Sequence, residues 1–162
     1  MKIKTLFLSL TMIYSCLTYS QLSEDYHVKN AKKVVTTWLN NLNTNKHGNC
    51  YEAMSLKFKE RSDSLDIIYA LSSEINTFGE FMGRKEIEGV FCINPSEINS
   101  NFAGGFPDGY YVRFIFETKY KNWDLQAEHS EIIWLHQDDN ARWRILEWVP
   151  QWKWKEGYEE GK

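Results

Sequence analysis

Residues 71–94, LSSEINTFGEFMGRKEIEGVFCIN, hold the change of rhythm that decides the fold. Up to Phe78 the apolar side chains keep helical spacing, with Ile68, Leu71 and Ile75 three and four residues apart. Ser72 falls on the same face as its one polar member. Gly79 and Gly83 mark the end of that helix. After Gly83 the period falls to two, and a strand is expected over Arg84 to Asn94, around Ile87, Val90, Phe91 and Ile93.

Working outward toward the N-terminus, Leu65 joins the same stripe, and Ser62 or Asp63 is placed to cap it. A shorter helix before it carries Tyr51, Met54 and Phe58 on one face. Before that, the segment from Asp25 spaces Tyr26, Val28, Ala31, Val34, Val35, Trp38, Leu39 and Leu42 by threes and fours, which is one stripe of an amphipathic helix. The segment from Asn43 to Asn49, with Gly48, breaks it. Toward the C-terminus, Pro95 to Gly109 reads as a long loop with Gly104-Gly105 and a Pro107-Asp108-Gly109 turn. Strands are then expected over Tyr110–Lys121, Gln126–His136 and Arg142–Trp148, joined as hairpins at Asn122-Trp123-Asp124 and Asp138-Asp139-Asn140. Helices followed by four antiparallel strands make an α+β layout, with the helices packed on one face of the sheet.

Strand parity assigns the faces. Tyr110, Val112, Phe114, Phe116 and Tyr120 share one side, the expected core face; Tyr111, Arg113, Ile115, Glu117 and Lys119 share the other. The fourth strand splits into Trp143, Ile145, Glu147 and Val149 against Arg142, Arg144, Leu146 and Trp148. Neither set is cleanly polar, so partial cover on both faces is expected.

The first twenty residues, with Lys2 and Lys4, an apolar run from Leu6 to Tyr14, and the exit Thr18-Tyr19-Ser20, have the order of an export signal. The run falls short of the ~20 apolar residues that span a bilayer. A signal over 1–20, one α+β domain over 21–150 and an aromatic, then charged, tail over 151–162 follow. The expected location is periplasmic or secreted. In a second reading Cys16 becomes a lipidated N-terminus, against which stand the bulky Tyr14 and the ordinary cleavage site after Ser20. Removing the signal takes two lysines and no acids, so the formal charge goes from −3 to −5. A mildly acidic domain with scattered charge offers no basic stripe for nucleic acid. No second apolar run exists, so no transmembrane segment is expected after processing. Cys50 and Cys92 are candidates for a disulfide, worth ~4 kcal/mol at best for a loop of this length. The alternative is two buried thiols acting as small hydrophobes.

None of the four histidines stands at ligand spacing from another, so no metal site and no cofactor are expected. His129 and Glu131, two apart on one strand, can form an acid–base pair in a shared concavity, or simply be solvated strand residues. Arg113, Glu117, Glu131 and Glu147 lie on adjacent strands, where cross-strand pairing explains them. Arg113, His129, Glu131 and Glu147 are also the candidate lining of a polar ligand pocket. In the tail, Trp148, Trp152, Trp154 and Tyr158 either form a platform for sugars or peptides or fold back over the sheet edge. The second account predicts that the segment leaves the last strand after Pro150.

Val34-Val35-Thr36-Thr37-Trp38-Leu39 and Cys50-Tyr51-Glu52-Ala53-Met54 resemble the opening helices of the bacterial domain of unknown function 4019 family. Gly83-Arg84, Pro107-Asp108-Gly109-Tyr110-Tyr111-Val112, Glu131-Ile132-Ile133-Trp134-Leu135 and Trp143-Arg144-Ile145 resemble its second half. The resemblance runs from about Asp25 to Val149. It implies a layout similar to nuclear-transport-factor-2-like domains, a cone whose curved four-stranded sheet wraps a long first helix. It brings no catalytic residues. The loop from Asn94 to Phe106 and the aromatic tail depart from the family's compactness.

Three functional classes remain on the sequence. The first is a non-catalytic binding or interaction module for a small molecule or protein. The second is a small-molecule enzyme using His129 and Glu131. The third is a structural domain that forms a homodimer through its sheet or tail.

Overall fold

The computed structural model describes residues 24–60, 63–94, 108–123 and 127–154. The export signal with Cys16, the Ser62 cap, the loop from Pro95 to Pro107 and the tail beyond Trp154 lie outside the described residues.

Helix α1 covers residues 24–43. It is followed by two short helices, α2 (His47–Glu52) and α3 (Leu56–Lys59), and by α4 (Ser64–Phe78). Strands β1 (Phe81–Ile93), β2 (Tyr110–Tyr120), β3 (Ala127–Gln137) and β4 (Trp143–Trp154) form one antiparallel sheet in sequence order. The α+β layout with helices preceding a four-stranded antiparallel sheet is as the sequence rhythm implies. No described helix is long and apolar enough to cross a membrane.

The core lies between α1, α4 and one face of the sheet. Ala31, Val35, Trp38, Leu39 and Leu42 of α1 are buried with Val112, Phe114, Phe116 and Ile133. The Trp38 indole N–H donates to the Cys50 carbonyl (3.1 Å), which fastens α2 to α1. Tyr26 departs from the expected stripe and is 65% exposed, while the next residue, His27, turns to the sheet and stacks on Phe91 at 4.6 Å between centroids. In α4 the buried line is Ile67, Leu71 and Ile75, and Leu65 is exposed. Asp63 caps this helix by accepting from the Leu65 N–H (2.8 Å), and Leu65, two residues before Ile67, falls on the opposite side of the helix from the buried line.

The single helix expected around Tyr51, Met54 and Phe58 is two. Met54 makes an isolated bridge to Ile145, Ser55 N–H donates to the Ile145 carbonyl (2.7 Å), and the Ile145 N–H donates to Ala53 (3.0 Å). This segment covers part of the β4 edge, where unpaired backbone groups would otherwise be open to another strand.

Strand β1 begins two residues before Gly83, so that glycine sits in the strand and does not end the helix. Register shifts at Met82 and Ile87 bend β1. Gly89 lets it lie close to α1: an added Cβ would sit 2.8 Å from the Phe114 ring and 3.4 Å from Val28. A third shift, at Leu146, reverses the parity of β4. Trp143 and Ile145 face the helices, Leu146 and Glu147 face away, and Trp148 faces inward again, 5.8 Å from Trp38. That reversal explains why neither half of the strand reads as polar. On the outer face Tyr111, Trp134 and Leu146 form a second, smaller cluster, with Phe58, Cys92 and Ile132 against it.

Candidate functional site

Glu131 points from the middle of β3 into the helix-bearing face and is fully buried. A buried carboxylate needs a counter-charge and hydrogen bonds, and three side chains supply them. Arg84 Nε donates to its Oε2 at 2.6 Å, the Thr118 hydroxyl donates to the same oxygen at 2.5 Å, and the Trp148 indole N–H donates to Oε1 at 3.1 Å. Arg84 is itself 90% buried, its side chain retaining 10% exposure. Its guanidinium lies 4.9 Å from the centre of the Phe81 ring and donates through Nη2 to the Tyr120 hydroxyl (3.2 Å). That hydroxyl in turn donates to Asn43 Oδ1 (3.1 Å) at the end of α1. Burial, helped by the Glu131 carboxylate and opposed by Arg84, pushes the Tyr120 phenol above its ordinary range, so it stays a neutral hydroxyl.

The chain Glu131–Arg84–Tyr120–Asn43 ends at a groove of about 540 Å³, within the range of small-ligand sites. One wall is the end of α1, with Asn40, Asn43 and Asn45. Asn45 takes a left-handed φ of 59°, which asparagine tolerates, and so turns the chain out of the helix. The opposite wall is the last turn of α4 with Asn76, then Gly79 and Glu80; Phe81 and Tyr120 come from the sheet. Glu80 stands 4.0 Å from Lys121, both well exposed, a weak pair at most.

Beside the groove, aromatic rings continue along the same face. Phe81 meets Tyr120 at 5.7 Å, Tyr120 meets Trp123 at 4.8 Å, and Trp123 stacks on His129 at 4.2 Å between centroids. Trp152 pairs with His129 across β3 and β4 and is 61% exposed. Strand β4 therefore does not leave the sheet after Pro150, as the fold-back account expects. It runs on to Trp154, pairing with residues 127–131, because an edge strand tolerates a proline.

The four residues expected to share a pocket are divided by the sheet. Glu131 and His129 face the helices. Arg113 lies on the outer face, bonded to Glu88 (2.5 Å) and set over the Trp134 ring, and Glu147 lies opposite Trp134 on that same face. Both oxygens of Glu131 are engaged by Arg84, Thr118 and Trp148, while the His129 ring lies against Trp123. Cys50 sits in the main core, its thiol pushed up to about 12 by burial, and Cys92 packs on the outer cluster; the two are not joined to each other.

Arg84, Thr118, Tyr120, Asn43 and the groove asparagines escape a reading of motifs. The available signal was Gly89, since a lone glycine within a strand pattern marks a bulge. A bulge at Ile87 is what swings Arg84 inward. Among the described residues, no group of three or more His, Cys, Asp or Glu side chains is placed to hold a metal ion. Compared with family models, curated proteins and solved structures, the chain matches none.

Proposed function

We propose that this protein is an exported, non-catalytic binding module that takes a small polar ligand in the groove between the ends of α1 and α4. The observation that carries the reading is the groove's chemistry. Its walls are rich in amide side chains, and the buried cation behind it is already neutralised by Glu131. Amides and a phenol donate and accept hydrogen bonds without changing protonation near neutral pH, which suits recognition better than proton transfer. The Glu131–Arg84 pair serves as a brace that fixes Tyr120 at the groove floor.

A thermal-shift screen of the protein against sugars, peptides and lipids tests this, since a ligand of the native state must raise the melting temperature. The expected result is a stabilising ligand whose effect disappears in Asn76→Trp, where the indole fills the groove. A stabilising ligand unaffected by that change would place the site elsewhere. Turnover of a bound ligand that is lost in His129→Ala would establish the enzyme reading instead.

A further inference from the structure

We infer that the groove and the aromatic row beside it together form the binding site of a neutral oligosaccharide. This inference rests on the binding-module reading and names its ligand class. Three observations converge on it. The groove presents Asn40, Asn45 and Asn76, and among the described residues no hydrogen bond occupies these side-chain amides. An amide offers donors and acceptors together, the combination that vicinal hydroxyls require.

The charge pattern removes the competitors. Arg84 is buried and held by Glu131, and among the described residues lining the groove none is a cation that could meet an anionic ligand. Among the described residues of the groove Glu80 is the one carboxylate, and it is so exposed that water screens its pull on a cationic one. What remains is a ligand that is polar and uncharged.

The aromatic row supplies the third element. Tyr120 and Phe81 close one side of the groove, and from Tyr120 the rings step through Trp123 to His129, with the exposed Trp152 next across the sheet. Aromatic faces carry negative quadrupole density and favour the C–H faces of pyranose rings. Tyr120 is only 3% exposed and Trp123 and His129 cover one another, so the ring faces open to sugar units are Phe81 at the groove and Trp152 at the far end. One end of a sugar chain would hydrogen-bond in the asparagine groove while the rest lies along the row toward Trp152.

The test is titration calorimetry on the full chain with neutral hexasaccharides of glucose, N-acetylglucosamine, mannose and xylose. Their monosaccharides, a hexagalacturonate and a glycine–serine hexapeptide serve as comparison probes. At least one neutral hexasaccharide should bind, and bind tenfold or more tightly than its monosaccharide. Asn76→Ala and Trp152→Ala should each weaken it roughly tenfold, ~1.4 kcal/mol. Both side chains are exposed, so melting temperatures should hold and a folding defect would be visible. Hexasaccharide binding equal in both variants overturns the inference, as does preference for the hexagalacturonate. Binding of the peptide alone, lost in Asn76→Ala, overturns the saccharide assignment and leaves the binding module standing. If no probe binds at millimolar concentration, both fall.

Discussion

The side chain on which most of the site depends is Glu131. Taking its charge out of water is costly, and the cost is offset only because Arg84, Thr118 and Trp148 all reach it. Such a pair contributes little net stability over an apolar replacement, yet losing one partner strands the other. Glu131→Ala should therefore cost ~3–5 kcal/mol, read from denaturant unfolding, because the Arg84 guanidinium is left without its counter-charge. Replacing both members, as Glu131→Leu with Arg84→Met, should recover most of that loss. A single-variant cost below about 1 kcal/mol would mean that water reaches the pair and that it braces nothing. The sequence singles out Glu131 only as a pocket candidate or a cross-strand partner; its burial follows from the face it shares with Ile133 and Leu135. Its partner Arg84 is not legible in the sequence. Simple alternation back from Phe91 and Gly89 puts Arg84 on the outer face, and only the extra residue at Ile87 turns it inward.

At the scale of elements, the joint between α4 and β1 does most to shape the groove. Gly79 there has φ 81° and ψ −155°, a region essentially confined to glycine. Its N–H caps the helix by donating to Ile75 (3.0 Å), and the Asn122 N–H of the β2–β3 turn donates to Phe78 (2.9 Å). Gly79→Ala should cost ~1–3 kcal/mol from backbone strain alone. The added Cβ would also meet the Asn122 carboxamide at 2.7–2.9 Å. That contact is with a side chain that can swing aside, so adding Asn122→Ala should not restore stability. A full rescue by the second change would show that the cost was steric and the backbone unstrained. The helix-to-strand switch could be read from periodicity, though the sequence reading sets it at Gly83 where the strand already begins at Phe81. The ends of β1 and β4 could not. Proline and glycine read locally as breaks, while the sheet needs only that Pro150 sit on an edge and that Gly83 keep an extended backbone.

Across the whole molecule, two histidines sit on either side of the sheet in surroundings that disfavour their charge. Burial holds His47, at the start of α2, below its usual range. Burial also lowers His136 on the outer face, against the raising pull of the Asp108 backbone and the Asp138 and Asp139 charges. In both the folded value is the lower one, so the unfolded chain binds the proton more readily. Their contribution to stability is complete above the unfolded value, about pH 6.5, and is lost as pH falls from there through the folded values. Asp138 adds a second, more acidic step. Burial alone would raise its carboxyl, but the Arg142 and Asn140 N–H groups, the Arg144 side chain and the Arg142 charge outweigh it and hold it below the ordinary value. Its stabilisation is present above about pH 3.9 and is lost as pH falls below that toward the folded value. Urea midpoints measured from pH 8 to 3 should therefore be level down to about pH 7, decline through the histidine range, and decline again in the carboxylate range. The double variant His47→Gln, His136→Gln should flatten the first decline and leave the second, while Asp138→Asn should do the reverse. A midpoint that stays constant from pH 8 to 5 in the parent chain would show that neither imidazole is held neutral by the fold. The assignment of His47 and His136 to the interior of the folded chain would then be wrong.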